Sequence, residues 1–218
     1  LPSKITSLPQ FCFALNTSLT TVTLHEGITS IGNSVFEGDT QLTDVRLDNA
    51  LETIGSRAFA QCLSLKSITI PDGVAAVPDQ CFYNDMALQR IVVGSNVTSF
   101  GLDVLVRYKN TTAAPALRDL YITGDVMATG AVGFMAEARQ NTTVHVKPEL
   151  VDTYKKNFEW RLFKDIVPIS EGELTAIGSV VNSEATSSAH ACYTVDGIRI
   201  DAPRKGLTIR DGKKFVTK

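Results

Sequence analysis

The sequence predicts a β-rich α/β solenoid of 23-residue turns, closed by a helical and aromatic cap and followed by a short β meander. Three observations lead there: apolar columns recurring every 23 residues, an aromatic cluster after them, and a run of short strand patterns near the end. Leu19, Leu42, Leu65 and Leu88 form one column, Val22, Val45, Ile68 and Ile91 a second, and Leu24, Leu47, Ile70 and Val93 a third. Later in each unit stand Ile5, Ile28, Leu51, Val74 and Val97, then Leu8, Ile31, Ile54, Val77 and Phe100. An aromatic column of Phe13, Phe36, Phe59 and Phe82 is closed by Leu105. One such unit cannot bury its own apolar side, but stacked copies can, each Phe resting on the Phe of the next turn.

Within a unit, Leu19-x-x-Val22-x-Leu24 alternates with the period of a half-buried strand. Glu26-Gly27 and Asp72-Gly73 mark a corner where glycine supplies backbone freedom. A short extended piece follows, such as Thr29 to Gly32, and then a compact arc such as Ser56 to Ala60 leads to the next strand. Pro9 and Pro78 replace the glycine of Gly32, Gly55 and Gly101. The unit from Leu88 is stretched by Arg107 to Ala116 before Leu117 restarts the pattern, so a surface loop is expected there.

Units such as LKSITIPDGVAAVPDQCFYNDMA and LTDVRLDNALETIGSRAFAQCLS resemble the BspA-type leucine-rich repeats of surface proteins from anaerobic gut and oral bacteria. The Leu, Ile-x-Ile, Val-x-x-Ile-Gly and Ala-Phe elements occur together and in order over roughly residues 1–125. The resemblance implies a leucine-rich-repeat solenoid with a secreted or cell-surface location. Because Leu1 to Leu8 already fall inside a repeat, the sequence reads as beginning partway through a unit, with a signal or earlier repeats expected upstream.

After Leu117-x-x-Leu120-x-Ile122 the character changes. Ala131 to Arg139 reads as a helix, Val144-His145-Val146 as a strand, and Pro148 to about Asn157 as a helix begun by proline. Leu150, Val151, Tyr154, Phe158, Trp160, Phe163, Ile166 and Val167 supply an apolar group suited to covering a solenoid end, and the segment resembles the closing segment of the same repeat family. Trp160 is read as cap core rather than as a ligand-stacking residue. The expected organisation is a capped solenoid over 1–169, a Ser/Thr/Ala-rich linker over 170–192 and a small β tail over 193–218. The tail resembles the short C-terminal β segments of secreted proteins from the same bacteria, which implies a role in export or anchoring.

Chemistry is sparse. The net charge of -2 argues against nucleic acid, and no stretch approaches the roughly 20 apolar residues of a membrane span. The four cysteines are scattered, and Cys12 and Cys81, three turns apart, stand about 14 Å from one another at the spacing of stacked strands. Both read as small buried residues, and Cys62 as a turn position shared with Asn16, Asp39 and Asp85. His25, His145 and His190 fall in separate regions without ligand spacing, His25 as a solvent-facing strand-edge residue. Glu26, Asp48 and Asp72 read as turn formers, lacking a calcium-loop pattern. Four sequons, at Asn16, Asn96, Asn110 and Asn141, are read as turn residues of a bacterial protein. No catalytic constellation, cofactor or metal site is expected.

The exposed face of the main sheet remains. Its outward rows are Thr21, Asp44, Ser67, Arg90 and Asp119, and beside them Thr23, Arg46, Thr69, Val92 and Tyr121. Arg46, Arg90, Val92, Asp119 and Tyr121, with Tyr108 of the inserted loop, are the candidate partner-binding residues, because Tyr and Arg most often carry interface energy. The expected function is a non-catalytic interaction module that binds a host or bacterial surface protein. A carbohydrate-binding surface protein is the alternative.

Overall fold

A computed structural model describes residues 5–107 and 114–173, together with the backbone of strands at 192–194, 199–200, 206–210 and 213–217. Two short strands recur in each turn: β1 (Ser7–Leu8), β2 (Thr21–Thr23), β3 (Ser30–Ile31), β4 (Asp44–Arg46), β5 (Thr53–Ile54), β6 (Ser67–Ile70), β7 (Ala76–Val77), β8 (Arg90–Val93), β9 (Ser99–Phe100) and β10 (Asp119–Ile122). The even-numbered strands line one side, β2 and β4 as a pair of their own and β6, β8 and β10 within the main sheet. Thr21 pairs with Asp44, Ser67 with Arg90 and Arg90 with Asp119, all in parallel register. The odd-numbered strands form a second side, with Leu8 beside Ile31, Ile31 beside Ile54, and Val77 beside Phe100. The predicted columns are therefore registers of the fold.

The third side is the arc, and its backbone follows a rule of its own. Phe11, Phe13 and Leu15 donate their N–H groups to the carbonyls of Asn33, Val35 and Glu37 in the next turn. Arg57, Phe59 and Gln61 do the same to Asp79, Cys81 and Tyr83. To hold this alternate-residue ladder while turning, each of the first four arcs places two residues four apart in the left-handed region, and the fifth places one. Phe11, Ser34, Arg57, Gln80 and Asp103 form one such column, and Leu15, Gly38, Gln61 and Asn84 the other. The non-glycine members have φ between 51° and 66°, a conformation that costs an L-residue about 1–2 kcal/mol. Inter-turn bonds and the buried arc side chains offset that cost.

Inside, the rings of Phe13, Phe36, Phe59 and Phe82 stack with centroids 5.4 to 6.1 Å apart and planes within 20° of parallel. Such pairs add about 0.5–1.5 kcal/mol each beyond area burial. Leu105 closes the stack, as read from the sequence, and bridges to Phe134 of the cap. Glycine matters where turns approach closely: a Cβ on Gly55 would lie 2.5 Å from backbone atoms of Gly32 and Asn33. Gly32, Gly55 and Gly101 also donate N–H groups to the preceding turn at 2.7 to 2.8 Å, a bond that Pro78 in the same column forgoes.

Two buried carboxylates brace the arcs. Asp39 accepts the N–H of Asn16 at 2.8 Å, and Asp85 accepts that of Cys62 at 2.7 Å. Their second oxygens are buried without a hydrogen-bond partner, and burial pushes Asp39 up to about 7 and Asp85 well above the usual carboxylate range. Cys62 and Cys81 are buried free thiols. Cys12 departs from its expected burial and is exposed, since among the described residues no further turn covers that end of the stack.

The cap extends the main sheet. A 3-10 turn (Ala131–Gly133) and α1 (Ala136–Asn141) replace the single predicted helix, interrupted so that Phe134 can point into the core. β11 (Thr143–Val146) pairs with β10, the predicted proline-led segment forms a 3-10 turn at Pro148–Leu150 and α2 (Val151–Lys156), and β12 (Asp165–Pro168) pairs with β11. Trp160 lies fully buried, donating Nε1–H to the carbonyl of Ala128 at 2.7 Å, while the Tyr154 hydroxyl accepts the N–H of the same residue at 2.8 Å. The expected cap cluster thus forms, except that Val167 turns to the outer face of the sheet and Phe158 is 69% exposed. Asn157 caps the turn there with its side chain and leaves the Phe158 ring outside.

In the tail, β13 (Cys192–Thr194), β14 (Arg199–Ile200), β15 (Gly206–Arg210) and β16 (Lys213–Thr217) form an antiparallel sheet of order β14-β13-β15-β16. The expected strands are present, but β14 and β15 flank β13, so the order is not the simple meander that the spacing suggested. Residues 174–191, most of the expected linker, and 108–113 of the inserted loop lie outside the described residues.

Replacing Gly55 by Ala forces two turns apart, and the expected loss is about 2 kcal/mol in chemical denaturation. A midpoint within error of the parent's would contradict the close approach. Asp39 and Asp85 hold a proton more tightly folded than unfolded, so folding takes up protons and stability declines as pH rises. For Asp39 the window runs from the unfolded carboxyl value of about 3.9 to its folded value of about 7. Asp39→Asn keeps an acceptor for Asn16 and is expected to shrink the decline in denaturation midpoint across that window. An unchanged slope would contradict the assignment.

Candidate functional site

The outward rows of the main sheet run further than the repeats. Pairing sets Thr143 and then Asp165 after Asp119, and His145 and then Val167 after Tyr121. The face therefore carries two rows that cross from the solenoid into the cap without a break.

Along these rows the chemistry changes. At the N-terminal end Thr21, Thr23 and Thr69 are half-buried and Ser67 is exposed. Arg46, one of the predicted residues, is exposed and pairs with Asp44 at 3.2 Å across one strand. Arg90 is also exposed, and its guanidinium carbon lies 4.4 Å from the centroid of the Tyr121 ring. Asp119 is partly exposed and shares a hydrogen with Nε2 of His145 at 3.0 Å.

Val92 and Tyr121 depart from expectation. Each is only 6% exposed, and with Ile169 they form a small apolar cluster on the opposite face of the sheet from the main core. The chain after β12 causes this. Ile169 donates its N–H to the carbonyl of Val146 and packs back over the sheet, after which Ser170 and Glu173 make a reciprocal cap. Ser170 donates from its backbone N–H at 2.9 Å and its hydroxyl at 2.7 Å to one oxygen of Glu173, whose own N–H returns to the Ser170 hydroxyl. The other oxygen of Glu173 accepts the Tyr121 hydroxyl at 2.9 Å.

The Tyr121 ring is enclosed on both sides. His145 stacks on it with centroids 4.1 Å apart and planes 11° from parallel, and Arg90 lies against it. Nδ1 of His145 is buried without a hydrogen-bond partner, 3.9 Å from the same Glu173 oxygen. Burial first, and then the neighbouring carboxylate, push the Tyr121 hydroxyl up to about 12, so at neutral pH it remains a donor. The Ser170 bonds, with help from Tyr121, hold Glu173 at about 2, so it remains an anion. The cluster is a charge-assisted ledge on an apolar floor, able to hold a carboxylate.

Of the six predicted residues, Arg90, Val92, Asp119 and Tyr121 come together here. Arg46 stands apart at the other end of the face, and Tyr108 lies outside the described residues. His145, Ile169 and Glu173 were missed. Alternation in Val144-His145-Val146 already turned His145 outward, and Ser170-x-x-Glu173 has the spacing of a capping box. The other charged candidates serve turns: Nδ1 of half-buried His25 accepts the N–H of Gly27, Asp48 that of Ala50 and Asp72 that of Ser95. Among the described residues no three His, Cys, Asp or Glu side chains are grouped as a metal site would require.

The family described as "BspA type Leucine rich repeat region (6 copies)" matches residues 1–112. Among solved structures, the pneumococcal vaccine antigen PcpA is similar at 21% identity with a TM-score of 0.66, over 78% of this chain and 40% of that one. A leucine-rich-repeat protein of T. pallidum is similar at 17% identity with a TM-score of 0.54, over 83% of this chain and 81% of that one. At these identities the likeness is one of fold, and this chain spans well under half the length of the pneumococcal protein. No curated protein matches the chain. A countable repeat, the three-sided turns built on it and a family match over just over half the residues agree: the chain belongs to the BspA-type leucine-rich-repeat family.

Proposed function

We propose that this chain is a non-catalytic interaction module, secreted or held at the cell surface, that binds a protein partner across the outer face of its main sheet. The observation that carries this reading is the pair of outward rows that runs unbroken from Ser67 and Thr69 to Asp165 and Val167, with the paired strands of Thr21–Thr23 and Asp44–Arg46 beside them. Solenoids present such sheets as extended binding surfaces. Membership of a repeat family whose members resemble bacterial surface proteins supports the location, and no helix among the described residues is long and apolar enough to cross a membrane. The open part of the face, around Arg46, Ser67 and Arg90, offers small polar groups and two cations.

Carbohydrate binding is the second reading, and it needs an exposed aromatic platform. Tyr121, the aromatic that the rows present, is enclosed between Arg90 and His145, which favours a protein over a glycan. A glycan array run beside surface-plasmon-resonance binding to purified extracellular-matrix proteins separates the two. The expected result is saturable protein binding that Arg46→Glu with Ser67→Glu weakens by at least about tenfold, while stability stays within about 0.5 kcal/mol. Saturable glycan binding with no protein binding would replace the first reading by the second.

A further inference from the structure

We propose that the ledge formed by Arg90, Tyr121 and His145 is a carboxylate-recognition subsite, occupied in this chain by its own Glu173, and that the partner it serves presents an acidic, extended segment. The inference rests on the reading of the outer sheet face as a protein-binding surface and names the chemistry that one end of it selects.

The geometry is that of a bound ligand rather than of a residue packed into the core. Glu173 is 52 residues from Tyr121 in sequence, yet one carboxylate oxygen meets the Tyr121 hydroxyl at 2.9 Å. The same oxygen faces the buried, unbonded Nδ1 of His145. The ledge is preorganised without Glu173: Tyr121 is clamped by stacking on His145 and by the Arg90 guanidinium, and His145 is oriented by Asp119. Ile169 and Val92 exclude water from its floor. An aromatic hydroxyl donor, an imidazole nitrogen and a desolvated floor, with the Arg90 guanidinium held against the ring, make a setting in which a carboxylate is recognised.

What holds Glu173 in place is slight. Its turn is anchored by the reciprocal Ser170 bonds, and its carboxylate otherwise meets the Tyr121 hydroxyl and faces His145. Its side chain is 36% exposed, whereas that of His145 beneath it is 12% exposed. Displacing this turn leaves the main core untouched, because Val92, Tyr121 and Ile169 form a cluster of their own. A partner carboxylate arriving along the rows from Ser67 and Arg90 can take the same oxygen position. The tethered Glu173 then acts as a competitor whose removal raises apparent affinity by the inverse of the fraction of open sites.

The test uses the full chain and a hexaglutamate peptide, with hexaglutamine as the uncharged control. Glu173→Ala is expected to bind hexaglutamate about tenfold tighter than the parent, if the closed turn is populated to about 90%, and hexaglutamine not measurably. Adding Tyr121→Phe, which keeps the stacked ring and removes only the hydroxyl, or Arg90→Gln should abolish that gain. Equal binding of hexaglutamate to parent and Glu173→Ala, or a gain that survives both second substitutions, overturns the subsite. Matrix-protein binding that Arg46→Glu weakens and Glu173→Ala leaves unchanged overturns the subsite alone. Loss of all binding in every variant, including the parent, removes the surface reading as well.

Discussion

Successive turns of this molecule must bring their backbones to hydrogen-bonding distance. On two sides parallel strands meet this demand, and on the third the arc meets it with N–H groups donated from alternate residues. Between the turn of β4 and β5 and that of β6 and β7 the arc does so without paired strands among the described residues. A buried backbone group left unpaired is costly, so a shift by one residue on any side would break bonds on all of them. The 23-residue period is the sequence trace of that condition. It also explains where small departures concentrate: glycine where neighbouring turns nearly touch, proline where one ladder bond is given up, and buried carboxylates where an arc N–H needs an acceptor.

The same constraint couples the cap to the candidate site. To end the stack the chain continues the main sheet with β11 and β12 rather than covering it with helices alone. Those strands present residues to both faces. Val144, Val146 and Ile166 enter the core beside Trp160 and Tyr154, while His145 and the continuation to Ile169 build on the outer face. Closure of the solenoid and assembly of the ledge are thus two faces of one piece of sheet. Substitutions that loosen the cap are bound to disturb the ledge, although the reverse does not follow.

Much of the fold was legible because apolar side chains repeat wherever the core repeats. The phenylalanine stack and the two outward rows follow from that, while the Trp160 cap was legible from its cluster of apolar and aromatic residues. The left-handed arc residues were invisible, since Phe11, Arg57 or Gln61 carries no local mark of positive φ. Phe158 misled because an apolar residue in an apolar run was assigned to the core without a test of its facing. At the site, Arg90, Asp119 and Tyr121 were found by register, but the burial of Tyr121 and Val92 depends on Ile169 and Glu173. Those two reach them from 48 and 52 residues beyond Tyr121 by a turn of the chain that no repeat spacing encodes.

The two left-handed columns of the arc have a consequence for how this surface can vary. No valine, isoleucine or threonine stands at any of the nine positions, because a side chain branched at Cβ clashes in that conformation. What stands there instead spans phenylalanine, leucine, serine, glycine, arginine, glutamine, asparagine and aspartate. The arc flank therefore filters substitutions by branching rather than by polarity. It is a display strip whose charge and hydrophobicity can be rewritten position by position, at the spacing of stacked turns, while the stack beneath it keeps its register.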